Sequence, residues 1–157
     1  IWDNFYSNDY CPRRIFLGPY YGRNKVQNIM INPTGLIETD LLLLDIVKAT
    51  KNSLRPYEDW KKILDKHRVP SQFLDVCNHF LKPDFGENPV LTKILISKNF
   101  LISLDFLIWK WKSPLSREWY PFLLGLKHDI KIFIGDFNSE RVIKTQTKAL
   151  ANHLVDS

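Results

Sequence analysis

Residues 99–112 read Asn-Phe-Leu-Ile-Ser-Leu-Asp-Phe-Leu-Ile-Trp-Lys-Trp-Lys, and the fold class turns on their secondary structure. The tail alternates, with Trp109 and Trp111 on one side and Lys110 and Lys112 on the other. Period-two alternation with β-branched and aromatic content predicts a strand over residues 104–111. Ser113-Pro114 breaks it and suits a helix start. Trp119, Phe122, Leu123 and Leu126 then share a helical face running to His128. Residues 129–135, Asp-Ile-Lys-Ile-Phe-Ile-Gly, are nearly continuous in apolar character, which predicts a strand buried on both faces. Asn138 or Ser139 is placed to cap a last helix, with Val142, Ile143, Gln146, Leu150 and Leu154 at the 3.6 period. The last third therefore reads strand–helix–strand–helix, the order of a βαβα unit.

Upstream, Pro83-Asp-Phe-Gly-Glu-Asn-Pro89 is a loop, and residues 91–96 read as a short helix. The middle is helical. Tyr57, Trp60, Ile63, Leu64 and His67 share one face, with Glu58 and Lys62 four apart on the other. Phe73, Val76, Cys77 and Phe80 follow after Pro70. In residues 36–47, Ile37, Leu41, Leu44 and Val47 form a helical stripe that Leu42, Leu43 and Ile46 widen, predicting a central helix. Before it, Arg14-Ile-Phe-Leu17 and residues 26–31 are β-compatible runs separated by Gly18-Pro19 and Gly22-Arg-Asn24, the pattern of a hairpin. The expectation is a mixed α+β fold: an N-terminal β-hairpin-like element, a helical middle and a C-terminal strand–helix–strand–helix layer. Residues 1–157 form one domain in this reading, with the 83–89 loop as its internal boundary.

Composition narrows the class. The chain has 157 residues, 45% of them apolar, 25% charged and 13% aromatic. That is enough for one core and too apolar for a solvated coil. Two cysteines, Cys11 and Cys77, do not make a disulfide scaffold, and point instead to a reducing intracellular setting, cytoplasm or nucleus. Residues 1–10 carry no apolar stretch of the kind a signal peptide needs. No run of 18 uncharged apolar residues occurs, so no membrane partner is expected.

Three constellations carry possible chemistry. The formal charge is +5, and residues 11–36 hold no acid while Arg13, Arg14, Arg23 and Lys25 fall among them, interleaved with Tyr20 and Tyr21. Cations that neutralise phosphates and rings that stack on bases are the ingredients of a polyanion surface. The second constellation is Trp109-Lys110-Trp111-Lys112, where indoles can anchor a partner and ammonium groups can hold its charge. The third puts Asp136 at a strand's carboxyl end, with Asp105 on the preceding strand and Glu140 one turn into the following helix, an oxygen-ligand set for a divalent ion in a nuclease or phosphotransfer enzyme. The four histidines lack zinc spacing, and the chain has no GxxxxGK[ST], GxGxxG or GxSxG. The leading expectation is a non-enzymatic interaction module of a larger assembly, without cofactor or metal. It would bind nucleic acid or an acidic protein surface through its basic and aromatic residues, beside other protein subunits. The alternatives are the metal-dependent enzyme, and a domain that binds protein alone through Trp109, Trp111 or Trp2.

Overall fold

A 3.6-residue spacing of buried side chains runs through most of the residues that the computed structural model describes, 2–7, 14–22, 28–81 and 98–133. The elements among them are β1 (Trp2–Asp3), β2 (Met30–Ile31), α1 (Ile37–Thr50), α2 (Pro56–Lys66), α3 (Phe73–Val76), a 3-10 turn (Cys77–Phe80), α4 (Lys98–Trp109) and α5 (Pro114–Phe133). α1 packs on α2 and α5, and α4 packs on α3 and α5.

The described residues are mostly helical, which corrects the α+β expectation, first in its C-terminal strands. Residues 104–111 are not a strand. Phe100, Ser103, Leu104, Leu107 and Ile108 are buried while Leu101, Ile102, Asp105 and Trp109 are exposed, a three-and-four spacing that only a helix produces. The alternation of Trp109 to Lys112 is too short to outweigh it. Residues 129–133 continue α5, with Leu126, Asp129 and Ile130 buried on the face that holds Leu115, Trp119 and Leu123. A short apolar run has the same composition in a buried helix as in a buried strand, and here the helix already under way extends through it. Residues 134–157, with the expected last helix, and 82–97, with the expected loop and the 91–96 helix, lie outside the described residues.

The hairpin is corrected as well. β1 and β2 pair in parallel, Trp2 with Met30 and Asp3 with Ile31, whereas hairpin strands are antiparallel. Residues 14–20 form no strand. They cross the core as an irregular strap whose polar groups are met by several elements. Leu17 N donates to Phe80 O (2.7 Å), Trp60 Nε1 to Leu17 O (2.7 Å), Tyr6 OH to Gly18 O (2.8 Å) and Tyr20 N to Thr50 Oγ1 (2.9 Å). Such pairing is what lets irregular backbone be buried at all. Gly18 lies close to Leu81: a Cβ there would meet Leu81 Cδ2 at 2.8 Å, so an added side chain needs the leucine to shift.

α1 starts without a cap of its own, because Leu36 has no side-chain acceptor. Glu118 of α5 supplies one across the core, accepting from Glu38 N (3.0 Å), Thr39 N (2.8 Å) and Thr39 Oγ1 (2.7 Å). A carboxylate at a helix N-terminus satisfies orphan N–H groups and favours the helix dipole. Trp119 Nε1 donates to Thr39 Oγ1 (2.9 Å), so neighbouring residues of α5 grip the same turn. The buried face of α1 is Leu42, Leu43 and Ile46; the stripe read as central from the sequence faces out, with Ile37, Leu41 and Leu44 at 74%, 52% and 60% exposure. α2 is fastened to α1 by Asp45, which accepts from Lys66 Nζ (2.7 Å) and lies 2.8 Å from His67 Nε2. On its solvent face Glu58 pairs with Lys61 and Asp59 with Lys62, rather than Glu58 with Lys62. Trp60, Phe73, Phe80, Trp119 and Trp111 stack through the centre, with Phe73–Trp119 ring centroids 5.1 Å apart.

Candidate functional site

The open site lies where α4 hands over to α5. α4 ends as Lys110 N and Trp111 N both donate to Phe106 O (2.8 and 3.0 Å), which turns the chain back on itself. Trp111 dives inward against Trp119, at 5.4 Å and 68° between rings. Pro114 opens α5, where a missing N–H costs no bond. Ser113 and Ser116 bind each other reciprocally: Ser116 N donates to Ser113 Oγ and Ser113 N to Ser116 Oγ, both at 2.9 Å. The corner is therefore rigid before any ligand arrives.

Outside this turn is a cleft of about 660 Å³ lined by Trp109, Trp111, Lys112, Ser113, Arg117 and Tyr120 among others. Trp109 is 49% exposed and Tyr120 38%, and their rings meet edge to face at 6.1 Å and 73°. Lys112 and Arg117 are exposed and form no ion pair among the described residues. No described acidic residue lines the cleft. Lys127 Nζ sits 5.8 Å from the centre of the Trp109 ring and binds Asp105 at 2.5 Å, so its charge is already answered. Cations unpaired among the described residues, beside exposed rings, raise the local potential and leave apolar area open to contact.

The chain is similar to Protein O-GlcNAcase of Rattus norvegicus and of Mus musculus, at 33% identity over 64 residues in each. The similarity covers 35% of this chain and 7% of each relative's length. No family model matches the chain, and no solved structure matches it.

The other sequence candidates fall elsewhere. Of the acid-free window, Arg13, Arg23 and Lys25 lie outside the described residues. Arg14 and Tyr20 are buried in the strap: the Arg14 guanidinium lies 4.9 Å from the Phe16 ring, and Tyr20 OH donates to Asp3 Oδ2 (2.7 Å). Tyr21 is half-buried beside Phe5, 6.2 Å between rings. Thus Arg14 and Tyr20 belong to the core and not to a surface. Of the Trp-Lys-Trp-Lys run, Trp109, Lys110 and Lys112 are exposed and Trp111 is buried. Trp2 is exposed on β1. Asp105 is on a helix rather than a strand and is bound to Lys127; Asp136 and Glu140 lie outside the described residues. Among the described residues no three His, Cys, Asp or Glu side chains are grouped to hold a metal ion.

Arg117 and Tyr120 were missed by sequence reading. Their signal was local: Ser113-Pro-Leu-Ser116 spells a helix start, and positions 117 and 120, three apart, share a face of the first turns. Two buried titratable groups are poorly suited to chemistry. Burial pushes the Cys77 thiol up to about 11, away from the reactive thiolate. Burial first, and the Arg14 charge second, lower His79 to about 4, so it is neutral at physiological pH.

Proposed function

We propose that this chain is an interaction module of a larger assembly, holding an anionic macromolecule, an acidic protein surface or a nucleic acid, at the α4–α5 cleft. The observation that carries this reading is the convergence of Trp109 and Tyr120 with Lys112 and Arg117 on one rigid corner. Aromatic and arginine side chains are the residues from which binding hot spots are most often built. Other protein subunits would be its neighbours, in an intracellular setting where the Cys77 thiol stays reduced. No described helix is long and apolar enough to cross a membrane. The test is binding of polyglutamate and of oligothymidylate to the chain at rising salt. Affinity is expected to fall with salt, and to fall several-fold in the double variant Lys112→Gln, Arg117→Gln. Salt-insensitive binding, or none to either polymer, defeats the reading.

A second reading draws on the sequence similarity. The chain would be part of a protein that acts on O-GlcNAc, as the two relatives are named for doing, with the described helices serving as its scaffold. Release of O-GlcNAc from a glycopeptide by the chain within its parent protein is the expected result. A parent protein that leaves the glycopeptide intact removes this second reading and does not touch the first.

A further inference from the structure

We propose that the cleft takes an acidic segment of another protein, with one apolar or aromatic side chain packed against the corner that Trp109 and Tyr120 form and carboxylates held by Lys112 and Arg117. This rests on the reading of the cleft as a recognition surface, and it narrows the ligand to one class. Three observations favour a peptide over a nucleic-acid strand.

The first is shape. A single-stranded nucleic acid is held along a groove that tracks its backbone over about 4–16 nucleotides, with successive bases stacked. The depression here is compact, about 660 Å³, the size class of a pocket for one anchor and its immediate neighbours. The second is ring geometry. Trp109 and Tyr120 stand edge to face, 73° apart, so they present a corner into which a side chain inserts rather than two parallel plates that sandwich a base. The third is charge. Lys112 and Arg117 lie on the cleft, and no described acid lines it. A phosphodiester chain carries a charge at every nucleotide, at fixed spacing, which two adjacent cations do not match. A peptide presents carboxylates only where its sequence places them, and so can meet Lys112 and Arg117 alone.

The corner is also prepared for binding. Reciprocal Ser113–Ser116 hydrogen bonds and the Pro114 ring fix the floor, so little conformational freedom is lost when a ligand docks. Trp109, Tyr120 and Arg117 are the three residue types most enriched among binding hot spots.

The experiment uses the full chain and a dye-labelled synthetic peptide with a central Leu-Phe pair flanked by glutamates. A second peptide has glutamines in place of the glutamates, and oligothymidylate is the competitor. Fluorescence anisotropy reads affinity, and circular dichroism shows that each variant is folded. The glutamate peptide is expected to bind at least tenfold tighter than the glutamine peptide. Trp109→Ala is expected to weaken it roughly thirtyfold, as loss of a hot-spot ring does. Lys112→Gln with Arg117→Gln should abolish the preference for glutamate. Equal binding of the two peptides overturns the inference, as does displacement of the peptide by oligothymidylate together with direct binding of that oligonucleotide to the cleft. In the latter case the recognition surface stands and only its ligand class is wrong. If peptide, polyglutamate and oligothymidylate all fail to bind, both the inference and the reading beneath it fall.

Discussion

The strap of residues 14–20 and the α4–α5 corner share a vocabulary of cations and aromatic rings, yet one lies inside and the other faces water. Arg14, Phe16 and Tyr20 are buried, whereas Trp109, Lys112, Arg117 and Tyr120 are exposed. What separates them is the supply of partners. The strap is surrounded by Tyr6, Thr50, Trp60 and Phe80, each of which meets one of its polar atoms. At the corner, Ser113 and Ser116 bond to each other, and among the described residues Lys112 and Arg117 find no ion-pair partner. A basic-aromatic pattern thus specifies composition, and the neighbours decide whether it becomes core or surface.

The contrast can be broken most forcefully with tryptophan. Trp60→Ala removes a buried ring and its hydrogen bond to Leu17 O, and should cost about 3–5 kcal/mol in urea denaturation. Trp109→Ala, at the exposed corner, should cost less than about 1 kcal/mol in the same measurement. Equal losses would mean that the corner is as integral as the strap.

Acid is the next lever. The folded-state value of His79 is about 4 against an ordinary 6.5, so the unfolded chain takes up the proton first as pH falls. The stability that neutral His79 contributes is fully present above pH 6.5 and is lost progressively down to pH 4. The loss is on the order of 3 kcal/mol by the linkage relation. His79→Leu should flatten the profile of urea midpoint against pH over that window. A wild-type profile that is already flat there would place His79 in water, and with it the wall of the strap that Arg14 shares.

The smallest effect sharpens the comparison from the other side. Lys112→Gln with Arg117→Gln should leave stability within about 0.5 kcal/mol, since both cations are exposed and unbridged among the described residues. A larger loss by thermal denaturation would show that the corner's charges hold the fold together.

Legibility followed the range of the interactions. The helices at 37–50 and 56–66 were readable because their spacing is local, and Trp60, Leu64, Phe73 and Phe80 turned out buried as the period implies. α4 was misread because four alternating residues, 109–112, were weighed above the buried set 100, 103, 104, 107 and 108. Residues 129–133 were misread because apolar composition alone does not distinguish a strand from the end of a long helix. The parallel pairing of Trp2 with Met30 is non-local, and no turn signal announces it. For the site, Trp109 and Lys112 were legible together, while Lys110 does not line the cleft and the burial of Trp111 depended on Trp119, a residue of the next helix. Which side of α1 faces inward was not legible either, because Leu41 to Leu44 are all leucine and the choice was made by α2 and α5.

The carboxylate that starts α1 has a kinetic consequence. Glu118 reaches the amides of residues 38 and 39 from 80 and 79 positions along the chain. The protein acceptor arrives only when the long loop closes, and water serves those amides until then. During synthesis the capped form of α1 is therefore reached only after α5 emerges, and the grip of Glu118 and Trp119 on that turn marks completion of the molecule.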